Sequence, residues 1–274
     1  MTAVNPVCLS GMAAFSWELP DEIAMYARTG TDLVGLPIGK VVAFGIPALR
    51  MLLAEHGVRV GYLVQAFTAA PDDDPGWARE VGALIEGTRA AHELGAGVVY
   101  LTCGPSGHLE WEEAAARFAA RLAPAVAEAR RLGVRLAVEN TLPVRADISF
   151  THTAADTFAL AEQVGIGVCL DLYCCWYERG LARLIADKHE LIEILQVSDF
   201  VVGTSTFPNR WVPGDADLPL ERLFAAALDA GYEGIVDVEL IGPVIEHEGA
   251  ESALTRSVAW LRERLAASVI QEEG

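Results

Sequence analysis

"TAADTFALAEQVGIGVCLDLYCCW", residues 153–176, contains one full period of the pattern from which the fold is read. Apolar residues recur at helical spacing as far as Val164, Gly165 supplies the residue best suited to a left-handed C-cap, and Val168, Cys169 and Leu170 then read as buried strand. Asp171 puts a carboxylate at the end of that strand, and Cys174, Cys175 and Trp176 follow in the turn. A carboxylate beside so much apolar chain needs partners from elsewhere in the sequence.

The same alternation runs outward in both directions. Strand-like runs read as PVCLSG, DLVGLPI, VGYLVQAF, GVVYLTCG, RLAVEN, IGVCLDL, EILQVSD and GIVDVEL, with helix-length segments between them, several ending at glycine. Strands alternating with helices imply parallel strands joined by helical crossovers. Eight such units predict a single-domain (β/α)8 TIM barrel over residues 1–274. A doubly wound nucleotide-binding sheet would carry a glycine-rich turn after its first strand. The turn here, SGMAAFSWELP, has neither G-x-G-x-x-G nor a Walker lysine. The longest connection, FVVGTSTFPNRWVPGDAD after the seventh strand, is expected to serve the active face.

Composition narrows the partners. The chain carries 20 Lys plus Arg against 38 Asp plus Glu, a formal charge of -18, which repels nucleic acid and anionic membranes. No run of about 18 apolar residues occurs, and the opening MTAVNPVCLSGM lacks a basic n-region, so a cytoplasmic protein is expected. The five cysteines are odd in number and lie mostly in strand-like runs, which favours reduced thiols over a disulfide framework. A small-molecule substrate is the expected partner, and a homo-oligomer is left open.

In a barrel the C-terminal strand ends share one mouth. Four successive strands end in an oxygen donor: Glu139 in LAVENT, Asp171 in CLDLY, Gln196 in ILQVSD and Glu239 in VDVEL. Three carboxylates and an amide oxygen suit Mg²⁺ or Mn²⁺ better than Zn²⁺, and a cation would relieve their mutual repulsion. Ordinary strand-end acids paired with arginine would read the same way residue by residue.

The order Glu, Asp, Gln, Glu on strands five to eight, with the closing ALDAGYEGIVDVEL, resembles the xylose isomerase-like superfamily of sugar isomerases and epimerases. That resemblance implies one divalent cation held by Glu139, Asp171, Gln196 and Glu239, with Glu139 and Glu239 also moving protons. Many members have His at the strand-seven position, while hydroxypyruvate isomerase-like members have Gln, as here. Members also commonly carry Asp-x-x-His at strand six, whereas this chain reads Asp171-Leu172-Tyr173-Cys174, and a thiol replaces imidazole poorly as a hydrogen-bonding partner.

Trp17, Trp111, Trp176 and Trp211 follow strands toward the expected mouth, and Phe15, Phe67, Tyr173 and Phe207 can join them. They form a partly apolar pocket for a substrate larger or less polar than a triose, or they pack loops onto the rim. Arg210 and Arg145 stand in loops after strands and can hold a carboxylate, an enolate or a phosphate, or lie solvated. His108, His152 and His247 are further polar candidates.

The chemistry expected of this set is proton transfer next to a carbonyl through an enediolate, giving isomerisation or epimerisation of a ketose-like or larger hydroxy-ketone. A metal-dependent lyase, dehydratase or cyclase on a glycosidic or aromatic ketone would use the same groups, and a catalytically silent binding subunit is the non-enzymatic reading. The DNA-cleaving members of the fold need a His-rich three-zinc cluster, which six scattered histidines do not offer.

Overall fold

The computed structural model describes residues 5–31 and 33–272, so Asp32, read as the first residue of the second strand, lies outside the described residues. Eight strands follow in order: β1 (Val7–Ser10), β2 (Leu33–Pro37), β3 (Arg59–Gln65), β4 (Val98–Leu101), β5 (Arg135–Glu139), β6 (Gly167–Asp171), β7 (Ile192–Val197) and β8 (Ile235–Val238). Each pairs in parallel with the next, and β8 closes on β1 through Val7 beside Val236 and Leu9 beside Val238. The expected barrel is therefore the one observed.

Side chains alternate along each strand, so each strand has an outward and an inward set. The outward set, with Leu9, Val34, Leu63, Val138, Leu170 and Leu195 among it, is buried beneath the surrounding helices. The inward set packs Cys8, Leu33, Tyr62, Tyr100, Cys169, Ile194 and Ile235 into the barrel axis. Helices close each crossover, and those at Leu19–Thr29, Ile46–His56, Asp74–Leu94, Trp111–Leu132 and Ala154–Val164 all end on a left-handed glycine, as the sequence suggests. Three helices among the described residues were not read from the pattern: Ile38–Phe44, which starts directly from Pro37 so that Ile38 belongs to it and not to β2, and the short Leu172–Cys175 and Pro243–Glu248. No helix among the described residues is long and apolar enough to cross a membrane.

Two local arrangements shape the inside of the barrel. Gly35 on β2 leaves room for Tyr62, whose ring would lie 1.9 Å from any added Cβ. Gly35→Ala is expected to force that ring aside and lower stability by about 1–3 kcal/mol, the usual cost of overpacking, as checked by urea denaturation. Beneath the loop after β1, the buried carboxylate of Glu22 pairs with Lys40, whose ammonium also reaches the Ala14 carbonyl at 3.4 Å. That contact fixes the turn Gly11–Ala14, which leads to Phe15 at the mouth.

Candidate active site

The alternation that fills the barrel axis also delivers the polar groups to its top. Two residues beyond the inward-facing Ala137, Cys169 and Ile194 stand Glu139, Asp171 and Gln196, and beyond Ile235 stand Asp237 and then Glu239. All five side chains are buried.

Asp171 is the most tightly held. Asn140 clamps its backbone from the neighbouring strand, accepting from the Asp171 N–H at 2.8 Å and donating to its carbonyl at 3.0 Å. The carboxylate caps the short helix Leu172–Cys175 by accepting from the Tyr173 N–H at 3.0 Å, and the Cys174 thiol donates to Oδ2 at 3.0 Å. The soft residues after the acid are thus part of its own support. Burial, followed by the Asp171 charge, pushes the Cys174 thiol well above the ordinary range, so it stays protonated and serves as a donor. Cys174→Ser supplies a shorter donor and should keep most turnover; a variant that binds substrate but turns nothing over would restore a nucleophilic role.

Arg210 occupies the centre of the site. Its guanidinium grips Asp171 through Nη2 to Oδ2 at 2.6 Å and Nη1 to Oδ1 at 3.2 Å. It also stands 3.2 Å from Glu239 Oε1, donates to Ser198 Oγ at 3.0 Å and lies over the Tyr173 ring at 4.3 Å. The solvated alternative for this arginine is therefore corrected: it is buried. The loop after β7 places it there. Asp199 accepts backbone N–H groups from Phe200, Gly214, Ala216 and Leu218, gathering both ends of the loop, and the Arg210 N–H donates to the Ile241 carbonyl at 3.0 Å.

Below this layer, Gln196 Nε2 donates to Glu239 Oε2 at 2.9 Å and to Asp237 Oδ2 at 3.1 Å, and the Tyr62 hydroxyl donates to the same Asp237 oxygen at 3.1 Å. Burial raises the Asp237 carboxyl to about 7, against the lowering effect of its hydrogen bonds. Glu139 is raised well above the ordinary carboxylate range by burial and then by the charges of Glu239 and Asp171, with Arg210 opposing. Glu239 is raised by burial, again with Arg210 as the main opposing charge. Arg210, with the more distant Arg145, faces three mouth carboxylates, which leaves the site short of positive charge.

The donors suit a hard divalent cation. The Oε1 atom of Gln196 is buried and has no hydrogen-bond partner, beside carboxylates on either hand. As the side chains stand, however, no three acidic, histidine or cysteine groups among the described residues are gathered closely enough to hold one ion, because Arg210 lies between Asp171 and Glu239. A cation at Glu139, Asp171, Gln196 and Glu239 requires the guanidinium to move off them.

A cavity of about 360 Å³ opens over these groups. Glu139, Glu239, Tyr173, Cys174 and Arg210 line it, joined by Arg145, which also pairs with Asp147. A larger depression of about 540 Å³ lies at the opposite end of the strands, where Arg135 on β5 pairs with Glu193 on β7 at 3.0 Å.

Six residues expected at the substrate lie outside the cavity lining. Phe67 is fully buried, edge-on to Trp77. Trp111 packs edge-on to Phe150, Trp176 meets its chain neighbour Tyr177, and both are partly buried against the outer core. Trp211 is anchored by paired backbone hydrogen bonds to Asp199, while Trp17 and His108 face solvent. His152 hydrogen-bonds Thr141, and His247 is exposed. Asp237 and Asn140, by contrast, were not singled out from the sequence. The signal for Asp237 was its shared parity with Glu239 in VDVEL; Asn140 carried none, since its role depends on contact with the next strand.

A family model described as xylose isomerase-like TIM barrel matches residues 23–264. The inosose isomerase of Halalkalibacterium halodurans is 27% identical over 113 residues, covering 38% of this chain and 39% of that relative, so the likeness spans well under half of the relative's length. Among solved structures, the IolI protein with a bound zinc atom superposes with a TM-score of 0.81 at 17% identity, covering 96% of this chain and 99% of the other. The 3-keto-D-glucoside 4-epimerase of E. coli does so with a TM-score of 0.76 at 17% identity, covering 94% and 99%. These structures share the fold, and with the family model spanning all but the ends, the chain belongs to the xylose isomerase-like TIM-barrel family.

Proposed function

We propose that this protein is an isomerase or epimerase that moves a proton next to the carbonyl of a hydroxy-ketone, with a divalent cation as cofactor. The observation that carries the reading is the pair Glu139 and Glu239. They stand on strand ends separated by β6 and β7 and face one cavity. Carboxylates placed on two sides of a substrate can accept and return its proton. One takes the proton from the carbon beside the carbonyl, leaving an enediolate. The other returns a proton to the opposite face, giving an epimer, or to the neighbouring carbon, giving an isomer.

Glu139, Asp171, Gln196 and Glu239 would hold the cation, which when bound supplies a Lewis acid that polarises the carbonyl. Their oxygen donors favour Mg²⁺ or Mn²⁺. Tyr173 and Asn140 keep Asp171 oriented, and Arg210 balances its charge whenever no other cation is present. The names of the relatives, an inosose isomerase and a ketoglucoside epimerase, support keto-cyclitols and keto-sugars as first substrates to try.

Metal-reconstituted protein incubated in D₂O with inosose and with 3-keto-D-glucose should convert one of them, or place deuterium beside its carbonyl, as followed by proton NMR. Neither conversion nor exchange on any keto-sugar or keto-cyclitol tested, with metal shown to be bound, would overturn the reading.

A further inference from the structure

The walls of the cavity do not match a substrate that is hydroxylated at every carbon. Away from the acids, Arg210 and Arg145, which is paired with Asp147, the walls include Val64, Leu142, Ile148 and Ile241, with Phe15 and Phe207 at the rim. The hydroxyls in the lining are those of Thr102, which accepts from the Phe67 N–H at 3.0 Å, Thr141, which pairs with His152 at 3.3 Å, Tyr100, which accepts from Gln196 Nε2 at 3.5 Å, and Tyr173. The Cys174 thiol is committed to Asp171. Sugar hydroxyls buried against such walls would lose their hydrogen bonds to water and gain few in return.

The two rings add an independent observation. Phe15, at the end of the turn after β1, and Phe207, in the loop after β7, are 55% and 43% exposed, although both belong to the cavity lining. Phe207 lies three residues before Arg210, in the loop that Asp199 gathers. Large aromatic rings left open beside a cavity of about 360 Å³, within the roughly 300–1,000 Å³ of sites for drug-sized ligands, fit an apolar, flat ligand group.

We propose that the substrate is a keto-sugar carrying an apolar, flat substituent, which Phe15 and Phe207 hold while the ketone end reaches Glu139 and Glu239. The proposal rests on the proton-transfer reading for the ketone end alone; the ring contacts are independent of it.

The test is calorimetric binding of 4-nitrophenyl 3-keto-β-D-glucoside and of 3-keto-D-glucose to the metal-loaded protein, for the wild type and for the double variant Phe15→Ala, Phe207→Ala. The aryl ketoside is expected to bind about tenfold or more tightly than the free keto-sugar, and the double variant should bring that ratio close to one. Equal affinities in the wild type, or a preference untouched by the double substitution, would overturn the proposal. So would a wild-type dimer, seen by sedimentation, that the double variant abolishes, since the rings would then belong to an interface. Ring-dependent binding without solvent exchange would uphold the substrate class and count against the reaction, whereas exchange on 3-keto-D-glucose without ring preference would do the reverse.

Discussion

Arg210→Met is expected to destabilise the metal-free protein by about 3–5 kcal/mol, the usual scale for removing one partner of a buried ion pair. The loss comes from what remains. Asp171 is fully buried and would keep only the Tyr173 N–H and the Cys174 thiol, with Glu239 and Glu139 nearby as like charges. Methionine replaces the apolar stem but supplies neither the charge nor the guanidinium that lies over Tyr173. Adding Mn²⁺ should restore much of the stability, and should stabilise the variant more than the wild type, because the ion no longer competes with a guanidinium. Urea denaturation with and without Mn²⁺ measures both effects. Equal stability of the two metal-free proteins would show that Arg210 does not neutralise the site.

The second large effect concerns turnover. Glu139→Gln and Glu239→Gln should each lower it by on the order of a hundredfold or more while leaving much of the substrate binding intact. Glutamine keeps an oxygen where the carboxylate stood but cannot take up a proton. Gln196 already places one amide in this cluster, so a second is sterically compatible with the site. Near-normal turnover in both variants would remove carboxylate-mediated proton transfer and favour a hydride shift.

The barrel was legible because each repeat states its own boundaries: apolar runs of strand length, helices of regular spacing, and glycines at the helix ends such as Gly133 and Gly165. The four strand-end donors were legible for the same reason, since parity within a strand decides which side chains face the axis. What the sequence could not show was where long side chains reach. Arg210 sits in a loop whose shape depends on Asp199 capturing N–H groups as far away as Leu218, and no local pattern encodes that closure. The tryptophans misled because following a strand places a residue near the mouth without saying whether it turns inward. Trp111 and Trp176 pack against the outer core instead.

Crystals soaked in Mn²⁺ and measured at the manganese absorption edge test the metal-assisted site most directly. One anomalous peak is expected among the side-chain oxygens of Glu139, Asp171, Gln196 and Glu239, with the Arg210 guanidinium moved off Asp171. No peak there at saturating Mn²⁺, with Arg210 still bidentate on Asp171, would contradict it.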